Sequence, residues 1–189
     1  MHNDFIDQPV AARAQESPDV EKLRSWLVGK ILDRDDNLQI EQFPGGYSNL
    51  TFLLKSDSKE FVLRTPPHGA NIKSAHDMKR EFHVLQSLQP VYPAVPAPLV
   101  YCDDESVIGS PFYIMQRVKG VILRNRIPKG MSVSAATWRN ISESATDNLA
   151  ALHQIDIISS SLVNMGRPEG YIQRQVEGWT KRYLDAETD

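Results

Sequence analysis

The sequence predicts an α+β fold, a small antiparallel sheet carrying one helix, followed by a segment that is all helix. Three observations predict it. Residues 38–64 hold three short runs of branched and aromatic residues separated by turn residues, which is the pattern of a strand meander. On either side of that stretch, apolar residues recur at helical spacing: Val20, Leu23, Leu27 and Ile31 before it, Met78, Phe82, Leu85 and Leu88 after it. Between residues 134 and 154, Trp138, Ile141, Ala145, Leu149 and Leu152 then share one helical face over a length no strand reaches.

Composition sets the outer limits. The chain has 189 residues, 41% of them hydrophobic, enough for one ordinary domain or for a small domain plus part of another. A net charge of -3 gives no basic footprint, so no nucleic-acid partner is expected. Cys102 is the one cysteine and cannot form an internal disulfide, which fits a reducing, cytoplasmic setting. No apolar run approaches the ~20 residues that span a bilayer, so no membrane partner is expected. Residues 1–16 are polar, lack a signal-peptide pattern and are expected to form a loose arm.

The elements follow in order. Ser17-Pro18 suits the start of the first helix. Residues 33–37 break its pattern. Leu38 and Ile40 lead into Phe43-Pro44-Gly45-Gly46-Tyr47-Ser48-Asn49, a glycine-bearing connection to the strand Leu50-Thr51-Phe52-Leu53-Leu54. A polar turn over 55–60 precedes the strand Phe61-Val62-Leu63-Arg64, which Pro66-Pro67 ends. The next helix is expected from Ser74, with Asp77 three residues on as a capping-box-like pair. Glu81 falls on or beside its buried face, where a carboxylate needs a cationic partner. Val95-Pro96-Ala97-Pro98 is an extended linker, 103–105 an acidic turn, and Phe112-Tyr113-Ile114-Met115 a buried strand. Gln116 to Gly120 is polar and ends in glycine, and the division between two lobes is expected there: 17–118 in the first, 119–189 in the second. The last helix carries Tyr171, Val176, Trp179 and Tyr183.

Four pieces bear on function, and each alone has an ordinary alternative. Gly45-Gly46, with Ser48 and Asn49, lets backbone approach a ligand closely, or is a plain β-turn. Arg64 carries a fork that matches phosphate oxygens, or is a solvated strand arginine. Glu81 is an inward carboxylate, or part of a wetted helix face. Met115 to Gly120 offers backbone groups to a flat heterocycle, or is a linker between lobes. Their order is more specific than any one of them. A glycine turn, a strand cation, a helix carboxylate and a strand leading to a hinge follow one another as in the nucleotide-binding lobe of a kinase.

These residues resemble the aminoglycoside phosphotransferase-like (kinase-like) superfamily. The resemblance rests on residues 43–51, Phe61-Val62-Leu63-Arg64, Arg80-Glu81-Phe82, Val95-Pro96-Ala97-Pro98, Phe112-Tyr113-Ile114-Met115 and Leu149-Ala150-Ala151-Leu152-His153. Gly166 to Tyr171 and Arg174 to Trp179 are similar to the branch associated with acyl-CoA dehydrogenases. The resemblance implies a protein-kinase-like N-terminal lobe followed by the first helices of a truncated C-terminal lobe. It implies ATP and Mg²⁺ as cofactors. Gly45, Gly46, Tyr47, Ser48 and Asn49 would cover the phosphates. Arg64, where most kinases have lysine, would contact them, and Glu81 would pair with Arg64. Met115 would be the gatekeeper, with the Gln116 carbonyl and Val118 amide at the adenine.

The family's His-Gly-Asp run and its metal-binding aspartate motif are not in this sequence. No catalytic or metal-ligating residue is therefore assigned, the metal ligands are expected in a C-terminal part, and the chain alone is expected to be inactive. The expected activity of the parent protein is transfer of the ATP γ-phosphate to a small-molecule hydroxyl, with a hydroxyacyl-CoA as candidate acceptor. The alternatives are a non-catalytic nucleotide-binding or protein-interaction module, or an unrelated α+β binding domain. Apolar helix faces left uncovered would favour self-association.

Overall fold

The computed structural model describes residues 6–44, 49–57, 59–67, 77–123, 127–128, 130–167 and 169–186. The strands are β1 (Val10–Ala11), β2 (Gln39–Gln42), β3 (Leu50–Lys55), β4 (Glu60–Thr65), β5 (Pro98–Cys102) and β6 (Phe112–Gln116). They form a single sheet in the order β1-β2-β3-β4-β6-β5, antiparallel at every pairing. β2 to β4 are the expected meander. The helices are α1 (Val20–Leu27), α2 (Met78–Leu88), α3 (Glu105–Ile108), α4 (Ala135–His153) and α5 (Tyr171–Asp185), with a 3-10 turn at Ser161–Met165.

The period-2 alternation of strands divides the sheet into two faces. Phe52 and Leu54, Phe61 and Leu63, Phe112 and Ile114 share one face and join Leu23 and Leu27 of α1 with Val107 and Ile108 of α3 in the main core. Trp26 meets Phe112 edge-on, with ring centroids 5.2 Å apart. Leu53, Val62, Arg64, Tyr113 and Met115 take the alternate positions. They belong to the other face, over which α2 lies against β5 and β6. This split puts a charged side chain and a phenol on the α2 side of an otherwise apolar sheet.

Several boundaries differ from expectation for identifiable reasons. The Asp19 carboxylate caps α1 by accepting from the Lys22 amide at 3.1 Å, so the helix starts at Val20 rather than at Ser17-Pro18. α1 ends at Leu27, and Ile31 packs against the core from the turn beyond. Residues 10–16 are not a loose arm. Val10 and Ala11 pair with Gln42 and Glu41 of β2, the Arg13 amide donates to Gln42 Oε1 at 3.1 Å, and Ala12 packs on the core. A two-residue strand has no periodicity to read. Ser74 lies outside the described residues. Asp77 is itself the cap of α2, accepting from the Arg80 amide at 2.9 Å. The acidic turn at 103–105 becomes the cap and first residue of α3, which Gly109 ends at φ 86°, a left-handed conformation that favours glycine.

The sheet ends at Gln116, two residues before the expected lobe division. The chain forms two compact units, residues 1–155 and 156–189. The first includes α4, which covers most of the helix expected over 134–154 and is capped by Ser134. Tyr92, in the turn after α2, donates to Asn148 Oδ1 of α4 at 2.9 Å. The second contains α5, on which Val176, Trp179 and Tyr183 are exposed. No helix among the described residues is long and apolar enough to cross a membrane.

Candidate functional site

Arg64 sits near the end of β4, where strand pairing sets it opposite Tyr113 of β6. Glu81 lies in the first turn of α2. These two elements bring the carboxylate onto the cation, the partner expected for Glu81 from its place beside the apolar side of the helix. Glu81 Oε2 lies 3.3 Å from Arg64 Nε. The contact is ionic, since the buried Nε makes no hydrogen bond among the described residues. Glu81 Oε2 also accepts from the Tyr113 hydroxyl at 3.0 Å, and Oε1 accepts from Asn49 Nδ2 at 2.9 Å. Both carboxylate oxygens are therefore engaged. Only the NH₂ group of Asn49 can donate to a carboxylate, so the chemistry fixes the orientation of that amide.

Tyr113 is 2% exposed. Burial pushes its phenol pKa well up. The Arg64 charge opposes the shift and the Glu81 charge adds to it. The hydroxyl thus stays a donor at every pH near neutrality. Phe82, one residue after Glu81, stacks in tilted geometry between the rings of Tyr101 and Tyr113, at 5.9 and 6.1 Å, and anchors this part of α2.

Arg64 and Glu81, with Asp77 and Arg80, form the charged lining of a pocket of about 490 Å³, whose apolar wall includes Val84, Leu85, Pro96 and Met115. A pocket with two arginines beside an apolar slot can take a flat group at one end and an anion at the other. Among the described residues, no three His, Cys, Asp or Glu side chains converge as they would around a metal ion.

Of the residues singled out from the sequence, Arg64, Glu81 and Met115 line this pocket together, and Asn49 joins them through Glu81. Gly45, Gly46, Tyr47 and Ser48 lie outside the described residues. Gln116 closes β6 with its amide donating to the Ala97 carbonyl at 2.8 Å, and it lines a neighbouring depression rather than this pocket. Val118 is 66% exposed in the segment beyond. Tyr113 was missed by sequence reasoning. Its signal was a hydroxyl two residues before Met115 in a buried strand, where such a group needs a partner.

A second polar cluster fixes the segment leaving β6. Glu60 Oε2 lies 2.7 Å from Lys119 Nζ and 2.9 Å from Arg117 Nη1. The Lys119 contact holds the Glu60 carboxyl below its usual range, against the opposing effect of partial burial, and Arg117 lowers it further.

This geometry can be set beside known proteins. Residues 39–189 match the phosphotransferase enzyme family. The chain belongs to that family. The phosphotransferase domain is 34% identical to a "putative aminoglycoside phosphotransferase" from Ralstonia eutropha JMP134, known from its crystal structure. The two superpose with a TM-score of 0.71 over 92% of this chain and 49% of that one. The sheet with its flanking helices is thus a kinase-like aminoglycoside phosphotransferase fold. The domain is also 38% identical to acyl-CoA dehydrogenase family member 11 of Rattus norvegicus over 187 residues, 97% of this chain and 24% of the relative. It is 35% identical to acyl-CoA dehydrogenase family member 10 of Mus musculus over 151 residues, 80% of this chain and 14% of the relative. The phosphotransferase domain spans about a quarter or less of those relatives.

Proposed function

We propose that this domain holds ATP, with Mg²⁺, for a phosphotransferase that moves the γ-phosphoryl group to a hydroxyl of a small molecule. The observation that carries the proposal is the Arg64–Glu81 pair in the charged lining of the pocket, beside Met115. Arg64 turns its Nε to Glu81 Oε2 at 3.3 Å, and its Nη groups are the charge-assisted donors that phosphate oxygens would take up. Val84, Leu85, Pro96 and Met115 suit the flat face of a base. ATP supplies the phosphoryl group; the protein's part is to position and neutralise it. Arg64 would hold phosphate and Glu81 would hold Arg64. Gly45 to Ser48 would close over the phosphates, and the backbone of Gln116 and Val118 would meet the adenine edge. A hydroxyacyl-CoA is the proposed acceptor class, supported by the acyl-CoA dehydrogenase names of the relatives.

The test is calorimetric titration of this chain with MgATP. Saturable binding is expected, weakened about tenfold or more by Arg64→Ala, as for loss of a charge-assisted contact. Absence of binding, or binding indifferent to Arg64→Ala, would overturn the proposal. The acceptor is tested on a longer protein carrying this domain. Phosphate transfer from labelled ATP to a hydroxyacyl-CoA is expected, and ATP binding without transfer would leave a nucleotide-binding module only.

A further inference from the structure

We propose that Asn49 and Tyr113 are positioning residues that clamp the Glu81 carboxylate in front of Arg64, and that Asn49 does this instead of touching the nucleotide. The inference rests on the nucleotide reading of the pocket and adds how its cation is held. Three observations carry it. Asn49 follows Gly45 to Ser48 directly, yet its side chain is turned inward, 7% exposed, with Nδ2 2.9 Å from Glu81 Oε1. Tyr113 approaches the other oxygen at 3.0 Å from the neighbouring strand. Arg64, in contrast, meets Glu81 only through a misaligned ionic contact at 3.3 Å.

An ion pair of that kind is weakly directional, and side chains about one-third exposed can exchange it for water. Two aligned hydrogen bonds to a charged acceptor are directional. They come from opposite sides: Asn49 from the start of β3, Tyr113 from β6. The carboxylate is fixed by its two neutral donors, and Arg64 is fixed by the carboxylate. The same Asn49 contact ties the start of β3 to α2. This assigns to Asn49 a structural link where the order of the motif alone suggests a phosphate contact.

The experiment is a double-mutant cycle in ATP affinity on this chain. Tyr113→Phe removes only the hydroxyl, and Asn49→Leu removes the amide at similar volume. Each is expected to weaken ATP on the order of 5- to 20-fold in the wild-type background, as for loss of a hydrogen bond to a charged group. In a Glu81→Ala background each should change affinity less than about twofold, because nothing remains to be positioned. A residue that touches the nucleotide, or one that merely supports the fold, would lose the same factor in both backgrounds, and that additive outcome overturns the clamp. If Glu81→Ala does not fold, Glu81→Gln replaces it, keeping the shape and removing the charge. If the wild-type chain binds no ATP, the nucleotide proposal fails and the same cycle read in urea unfolding decides the clamp. Non-additive midpoints would sustain it and additive ones would refute it.

Discussion

Arg64 meets Glu81 through a single nitrogen, and that contact explains why an exchange to lysine would not be neutral. The pairing atom is Nε, the guanidinium nitrogen closest to the stem, so by connectivity the two Nη groups lie beyond the pair. One arginine can thereby face a carboxylate and still present a fork to phosphate, whereas a lysine has one nitrogen for both tasks. Arg64→Lys is expected to fold normally and to bind ATP about 5- to 10-fold more weakly than wild type, between wild type and Arg64→Ala. Equal affinity by calorimetry would show that the fork is not needed. At this scale the sequence was informative wherever burial and charge conflicted. Glu81 on an apolar helix side demanded a cation, and Arg64 among Val62 and Leu63 was a candidate. Tyr113 was hidden because β6 is buried on both faces, which erases the alternation that would have set its hydroxyl apart. The inward turn of Asn49 depends on a side-chain rotamer, which no residue pattern encodes.

The elements that hold the site differ in what supports them. α2 carries Glu81 and begins at the Asp77 cap, so Asp77→Ala should cost about 1 kcal/mol in urea unfolding. Ile114, fully buried in β6 between its two neighbouring strands, should cost roughly 2–5 kcal/mol as Ile114→Ala. If the cap variant proves as costly as the core variant, the cap does more than satisfy one amide. The segment after β6 depends on Glu60. Its carboxyl titrates below the ordinary value of 4.5, so the fold favours the ionised form. That contribution is complete above pH 4.5 and fades as pH falls through the depressed value. Glu60→Gln should therefore lower the urea midpoint at neutral pH, and the gap to wild type should close on acidification. A gap that persists at low pH would mean the side chain acts through packing. β3, β4, β6 and α4 were legible because each is long enough to show a run or a period. β1 and α3, of two and four residues, are held by partners distant in sequence, which no local window contains.

At the scale of the molecule, both units leave apolar residues uncovered, with Trp138, Leu149 and Leu152 of α4 exposed in the first. The first has a continuous core across its sheet. In the second, Val176, Trp179 and Tyr183 stand exposed at helical spacing on α5. Light scattering over a concentration series should show growth beyond a monomer, and Trp179→Glu should suppress it; a monomer at all concentrations would show that this surface is inert. The α+β order and the antiparallel sheet could be read in advance because the three meander strands are consecutive. The final place of β5 at the edge could not, since β6 reaches β4 across a stretch of intervening chain. That edge has its own consequence. β5 opens on Pro98, which has no amide hydrogen, and its register shifts between Pro98 and Val100. A passing strand from another molecule finds an interrupted ladder there, so the β5 edge is a poor seed for fibrillar growth even where the helices are sticky.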